Sequence, residues 1–393
     1  MAANVARAAM LAAMQRRTAL SATLAWAGAP TVMAQAPTLD AIALHTLHER
    51  IHAAISAKRL PGAMLWVERL GTAAHTAVFG HRAWEPAPEA LALDAVFDAA
   101  SLTKPVVTGL LCARLIEQGL LRLDEPVLAL FKDFSGGDTI TWRHVMTHSS
   151  GLPPILPLTP VWSGAAAAHA LALAARATHA PGTRFVYSDI NYILLGAMIE
   201  RRAGAPLHEL AAREIFKPLA MADSGYLPLR QHALSRLVPT EFDGAQMLRG
   251  VVHDPAARRM GGVAGHAGLF STVADLARFA RMVLGGGELD GARVLQPASV
   301  ALATTNAAPP GLAQRGIGWD IDSPFSRPRG SVYPLGSFGH TGFTGCAMWI
   351  DPRSRSFYVF LSNRVHPRVG EPIVALYEEV GTWAARAAGV VAQ

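Results

Sequence analysis

Phe97-Asp98-Ala99-Ala100-Ser101-Leu102-Thr103-Lys104-Pro105 opens an apolar run that continues to Leu121, long enough for one buried helix. In a helix Ser101 and Lys104 stand three apart and share a face. Pro105 suits the first turn, where an amide donor is not yet required. A serine hydroxyl is a weak nucleophile at neutral pH, so a neighbour must take its proton as it attacks. Lys104 is in reach, and desolvation in a cleft would lower its pKa and fit it to act as base or proton relay. At a helix start the Ser101 amide has no intrahelical acceptor and is free to face a developing oxyanion.

Two further triplets follow in order, Tyr187-Ser188-Asp189 and His340-Thr341-Gly342. The series resembles the serine β-lactamase/penicillin-binding-protein superfamily, in the branch that holds class C β-lactamases with related esterases and peptidases. That branch carries S-x-x-K, Y-x-N and K-T-G. The resemblance runs from about residue 39 to 385, and its flanks match: Leu60-Pro61-Gly62-Ala63, Phe97-Asp98-Ala99-Ala100, and Thr147-His148-Ser149-Ser150-Gly151-Leu152-Pro153. Asp189 stands where Asn is usual and His340 where Lys is usual. Both departures bear on substrate and leave the fold alone.

The resemblance implies a role for each position. Ser101 is the nucleophile. Tyr187, its phenolate form favoured by a cation such as Lys104, relays a proton to the leaving group. Asp189 replaces an amide that orients the lysine and bonds the substrate, so the lysine contact survives while a donor is lost. Asn191 is the alternative source of that amide. His340, Thr341 and Gly342 lie on the strand edging the site, Gly342 allowing substrate backbone to approach and the Phe343 amide serving as second oxyanion donor. A neutral histidine receives a substrate carboxylate poorly, which favours ester or amide substrates over β-lactams. Gly261-Gly262-Val263-Ala264-Gly265-His266-Ala267-Gly268 resembles the loop lining the family's cleft, with His266 against substrate and His253-Asp254 open to the same reading. It lacks the Lys-Ser/Thr ending of a phosphate cradle. His144 and His148 have helical spacing but no accompanying Glu, and no metal or other cofactor is expected.

Helical periodicity over Leu39–Lys58 predicts a first helix, and Ala63–Glu68 with Ala74–Phe79 predict paired strands around Gly71. Helical patterns recur at Ala165–Ala177, Ile190–Arg202, Leu207–Phe216 and Thr272–Leu284. Strand character returns at Cys346–Ile350 and Ser356–Ser362, before a closing helix from Pro372 to Ala388. The expected fold is α/β (α+β): an antiparallel sheet flanked by helices, formed from both chain ends, with an inserted all-helical lobe. The sheet lobe is predicted over 39–121 and 313–390 and the helical lobe over 122–312, in a single domain of residues 35–393. The resemblance implies this β-lactamase/transpeptidase-like architecture too.

With 51% hydrophobic and 16% charged residues in 393, the chain buries a large core and is not disordered. Half of its net charge of +6 comes from Arg7, Arg16 and Arg17. No Lys/Arg block interleaves with aromatics, so nucleic acid is not an expected partner. Those arginines, the apolar stretch Thr18–Met33 and small residues up to Ala34 predict an export signal over residues 1–34, with periplasmic or secreted localisation. Arg16-Arg17 resembles a twin-arginine signal. Gly28 and Pro30 interrupt a stretch already too short for a stable membrane span. Cys112 and Cys346 are expected to be buried, unpaired thiols.

The expectation is therefore an exported serine hydrolase cleaving a small ester or amide, or a peptidoglycan-derived substrate, through an acyl-enzyme on Ser101. A class C-like β-lactamase or DD-peptidase is the alternative, followed by a penicillin-binding module that acylates without turnover.

Overall fold

The computed structural model describes residues 38–391 apart from Thr72, so the predicted signal segment lies outside the described residues. In chain order the elements that position the site are α1 (Ala41–Ser56), β1 (Gly62–Arg69), β2 (His75–Ala83), β3 (Glu89–Ala90), α2 (Leu110–Glu117), α3 (Ala165–Ala174), α4 (Asp189–Ala203) and α5 (Val273–Leu284). There follow β4 (Gln314–Arg315), β5 (Asp320–Asp322), β6 (Phe338–Gly342), β7 (Cys346–Asp351), β8 (Ser356–Ser362) and α6 (Val374–Ala387). The eight strands form one antiparallel sheet in the order β4-β5-β6-β7-β8-β1-β2-β3. First and last strands of the chain meet at its centre, Leu65 opposite Phe360.

Both faces of this sheet are covered, so β7 and β8 read as unbroken apolar runs, yet their side chains still alternate. Ala347, Trp349, Tyr358, Phe360, Leu65 and Val67 face α1 and α6, where they pack with Leu47, Ile51, Leu376 and Val380. Met348, Ile350, Val359, Leu361 and Met64 join the larger core on the opposite face. Burial of each such side chain stabilises by about 1.5–3 kcal/mol relative to exposure. Buried polar tips are satisfied: Trp349 Nε1 donates to Ser337 Oγ at 2.9 Å and the Tyr358 hydroxyl to the Pro328 carbonyl at 2.7 Å. Among the described residues no helix is long and apolar enough to cross a membrane.

Two expectations need correction. α5 falls inside the stretch assigned to the helical lobe, but it packs against β1 and β8. Its Arg281 donates twice to the buried carboxylate of Glu68 on β1, both at 2.8 Å, and covers the Trp66 ring. The second sheet-side segment therefore begins near residue 270, where Phe270–Ser271 also pairs with Phe97–Asp98. The run from Ser101 is likewise not one α-helix. It starts as a 3-10 turn (Ala100–Leu102), widens into a π-helical stretch (Lys104–Gly109), and only then becomes α2. Pro105 has no amide to return to Ser101, so regular i→i−4 bonding cannot begin there.

Candidate active site

Ser101 sits at the turn where β6, the glycine-rich loop and the start of α4 converge. Ala100, just before it, has φ +46°, a left-handed conformation that costs an alanine energy and must be held by its surroundings. The holder is buried Asp98, whose carboxylate accepts the Ala100 amide at 2.9 Å and the His253 amide at 2.7 Å. Burial raises the pKa of Asp98 in spite of these two donors. The Ala100 carbonyl accepts the Thr103 hydroxyl at 2.6 Å, closing the turn.

Lys104 is fully buried. Its ammonium donates to Ser101 Oγ at 3.0 Å and to the His266 carbonyl at 3.0 Å, and pairs with Asp189 Oδ1 at 2.8 Å. The Tyr187 ring lies 4.9 Å from the same ammonium. Burial works against the charge, but the Asp189 carboxylate, with Tyr187 behind it, prevails and holds the Lys104 pKa above its ordinary value. The expected lowering by desolvation is thus reversed. An amide at 189 would leave burial opposed by Tyr187 alone.

α4 supplies Asp189 because Ser188 caps it: Ser188 Oγ accepts the Asn191 amide and donates to the Pro153 carbonyl at 2.6 Å. Asn191 is buried behind this cap, its Oδ1 accepting Ser150 Oγ at 2.7 Å, and is not the replacement amide. Tyr187 stacks on His148, with ring centroids 4.4 Å apart. His148 accepts the Ser188 amide at Nδ1 (3.1 Å), while His144 Nδ1 accepts the Thr141 amide (3.1 Å). The two histidines thus serve separate turns.

The glycine-rich loop threads between the Ser101 helix and α4. A Cβ on Gly265 would lie 2.1 Å from the Tyr192 carbonyl of α4, so only glycine permits the approach that delivers the His266 carbonyl to Lys104. The His266 ring turns the other way, its Nε2 2.9 Å from Asp254 Oδ1. Asp254, partly shielded from water, is nevertheless held well below the usual carboxylate range by His266 and by the Ala257 amide. Asp189, Asp254 and His266 place one ligand atom each within 4.8 Å of one another, spacing that would suit a cation. Lys104 already places its positive charge against Asp189.

His340 on β6 is buried, and its Nδ1 donates to the Thr341 carbonyl at 2.7 Å. Burial, then Arg315 and Lys104, push its pKa well below the ordinary histidine value, so it is neutral at physiological pH. Arg315 was not anticipated. It lies fully buried on β4 at the wall of the cleft, 3.2 Å from Asp320 Oδ1, its cross-strand partner in the β4–β5 hairpin. Arg315 and Asp320 flank the Gly316-Ile317-Gly318 turn, and that charge pairing was the available signal.

Ser101, Tyr187, Asp189, His266, His340, Thr341 and Phe343 all border one cavity of about 450 Å³, with Asp254 and Arg315. Exposed Ile155, Phe325 and Phe343 form its apolar mouth. Gly342 does not border it. A Cβ there would lie 2.6 Å from the Ala99 carbonyl, so the glycine is required by the nucleophile's own turn and not by substrate. Cys112 and Cys346 are free and buried, and burial pushes the Cys346 thiol up to about 12.

A serine at a strained helix start, with a lysine one turn on and a tyrosine across the cleft, belongs on this fold to an enzyme of the serine β-lactamase and penicillin-binding-protein kind. The chain is a member of the Beta-lactamase family, which it matches over residues 46–380. It is 32% identical over 351 residues to an N-acetylmuramyl-L-alanine amidase of Bacillus subtilis, covering 79% of each chain. It is 30% identical over 309 residues to a putative D-alanyl-D-alanine carboxypeptidase of Escherichia coli, covering 70% of this chain and 71% of the relative. Among solved structures, the simvastatin synthase of Aspergillus terreus superposes with a TM-score of 0.68 at 21% identity, over 88% of this chain and 99% of that one. This hydrolase family is thus established by sequence and its fold by both.

Proposed function

We propose that this protein is an exported serine hydrolase that cleaves an ester or amide through an acyl-enzyme on Ser101, its natural substrate a cell-wall-derived peptide. The observation that carries the reading is Ser101 Oγ at 3.0 Å from a buried ammonium inside a cavity walled by Tyr187 and Thr341. Ser101 Oγ attacks the substrate carbonyl as its proton passes to Tyr187, which takes part as the phenolate beside the Lys104 ammonium, and the amides of Ser101 and Phe343 receive the oxyanion. Tyr187 then hands the proton to the leaving amine or alcohol as the C–N or C–O bond breaks. Water enters by the reverse route, releasing the acid and restoring the serine. Lys104 stays charged and serves as the fixed positive neighbour of these oxygens.

Substrate class follows from the cleft's far wall. His340 is neutral, and on the same wall the charge of Arg315 is balanced by Asp320 at 3.2 Å, although among the described residues its guanidinium makes no hydrogen bond, so a substrate carboxylate meets no net positive charge there. That favours an amide such as the muramyl–alanine bond over a penicillin. Similarity to the Bacillus N-acetylmuramyl-L-alanine amidase supports the same choice. A DD-carboxypeptidase is the second reading, supported by the Escherichia coli relative.

The test is a substrate panel on purified protein: p-nitrophenyl esters, nitrocefin, a muramyl-L-alanyl peptide and a peptide ending in D-Ala-D-Ala. Ester and muramyl-amide cleavage is the expected result. Rapid nitrocefin turnover with an inert muramyl peptide would overturn it, and D-alanine release alone would select the second reading.

A further inference from the structure

Arg315 and Asp320 border the cavity, yet both are shielded from water, with side-chain exposures of 0% and 2%. Nη1 of the arginine lies 3.2 Å from Oδ1 of the aspartate, but the two are not aligned for a hydrogen bond. Among the described residues, Nε, Nη1 and Nη2 of Arg315 and Oδ1 of Asp320 all lack a hydrogen-bond partner. His340 Nε2 on the same wall lacks one too, and is left an acceptor because Nδ1 carries the ring proton to the Thr341 carbonyl. Buried polar groups are nearly always paired, so orphans of both signs at a cavity wall point to a guest that completes them.

This corner lies on the leaving-group side of the cleft. Tyr187, which hands its proton to the leaving group, meets the His340 ring at 6.0 Å and the Phe325 ring at 5.2 Å. Phe325 in turn meets Phe185 at 6.1 Å, and the Phe185 ring lies 5.8 Å from the Arg315 guanidinium. Phe343, whose amide receives the oxyanion, packs instead against His253 and Arg364.

We propose that the Arg315–Asp320 pair is a subsite for a neutral amide carried by the leaving group, an assignment that rests on the acyl-enzyme reading above. An amide offers a carbonyl to the guanidinium and an N–H to the carboxylate, so one planar group satisfies both members without adding charge. A terminal carboxylate has acceptors and no donor, and it would meet Asp320 as a like charge. The subsite therefore accepts a leaving residue whose chain continues through a peptide bond and rejects one that ends in a free carboxyl group. The first describes a muramyl–alanine bond whose alanine continues into a peptide; the second describes release of a terminal D-alanine. Entry runs past the exposed Phe325 ring, which turns aside because the pair is closed to water in this conformation.

Two matched thioesters test the subsite: S-butyryl mercaptoacetamide and S-butyryl mercaptoacetate, which differ only in an amide or a carboxylate on the leaving thiol. Thiol release is followed at neutral pH, and each kcat/KM is divided by the uncatalysed hydrolysis rate of the same compound. The ratio of the two, taken within one protein, cancels any loss of folded enzyme. Wild type should favour the amide by about tenfold or more. Asp320→Asn leaves the arginine's charge unbalanced and should move the ratio toward the carboxylate by about tenfold or more. If that variant does not fold by circular dichroism, Asp320→Ser removes the same charge. A wild-type ratio near one or favouring the carboxylate, or a ratio unmoved in the folded variant, overturns the subsite while p-nitrophenyl butyrate turnover keeps the hydrolase reading intact. Absence of turnover on all three esters would strike the hydrolase reading itself, and the subsite with it.

Discussion

The Lys104 ammonium lies between Ser101 Oγ, at 3.0 Å, and the Asp189 carboxylate, at 2.8 Å. An amide at 189 would orient this lysine without adding charge. A carboxylate orients it and also holds its pKa up, so in the proposed mechanism the task of accepting the serine proton falls to Tyr187.

The first prediction concerns the nucleophile. Ser101→Ala should lower turnover by about 10⁴–10⁶-fold while the fold persists. A fluorophosphonate should add one adduct to wild type, at Ser101, seen by intact-mass spectrometry. Labelling that survives in the alanine variant removes Ser101 from the mechanism.

Asp189→Asn tests the charge on Lys104. Asp189 raises the lysine's pKa, so the charged form persists to higher pH in wild type. Without that carboxylate, burial dominates and the charge is lost at lower pH. If charged Lys104 is the working form, the alkaline limb of kcat/KM for a p-nitrophenyl ester should move toward neutrality in the variant. An unmoved limb would show that the ion pair is not what sets the profile.

A third prediction is that His340 sets a substrate preference. Being neutral well above its lowered pKa, it should make the nitrocefin to p-nitrophenyl butyrate ratio of kcat/KM low and flat between pH 6 and 8. His340→Lys adds a cation and should raise that ratio at pH 8. A ratio already high in wild type, or unchanged by the substitution, would return the lead to the β-lactamase reading.

Gly342→Ala should damage both stability and chemistry. The added methyl would sit 2.6 Å from the Ala99 carbonyl and force the Ala100–Ser101 turn to shift. Overpacking of this kind costs about 1–3 kcal/mol, readable as a lower urea midpoint, with turnover falling alongside. Normal stability and turnover together would contradict the assigned role of the glycine.

Much of this molecule was legible because its signals are local. The 3.6-residue period of α1 and α6, and the apolar runs of β7 and β8, needed no tertiary knowledge to read. So too did the spacing of Ser101 and Lys104. What escaped depends on partners distant in sequence. The sign of the Lys104 shift is decided by Asp189 on another helix, and the place of α5 by Glu68 on β1. Gly342 was assigned to substrate approach because nothing local reveals the Ala99 carbonyl beneath it. Arg315 is one of many arginines until the hairpin sets it opposite Asp320.

The Lys104–Asp189 pair is also a tie across the cleft. One end is rooted in the helix that begins under β6, the other in the first turn of α4, and the lysine is wholly shielded from water. Pulling those walls apart would strand a charge in the interior, at a cost of about 3–5 kcal/mol. Substrate therefore meets a preformed mould and passes in through the mouth framed by Ile155, Phe325 and Phe343, where only side chains need to move. Beyond the substrate class set by His340 on the far wall, selectivity in such an enzyme resides in the rim, and further variation among its relatives in what they accept should concentrate there while the tied Lys104–Asp189 floor stays the same.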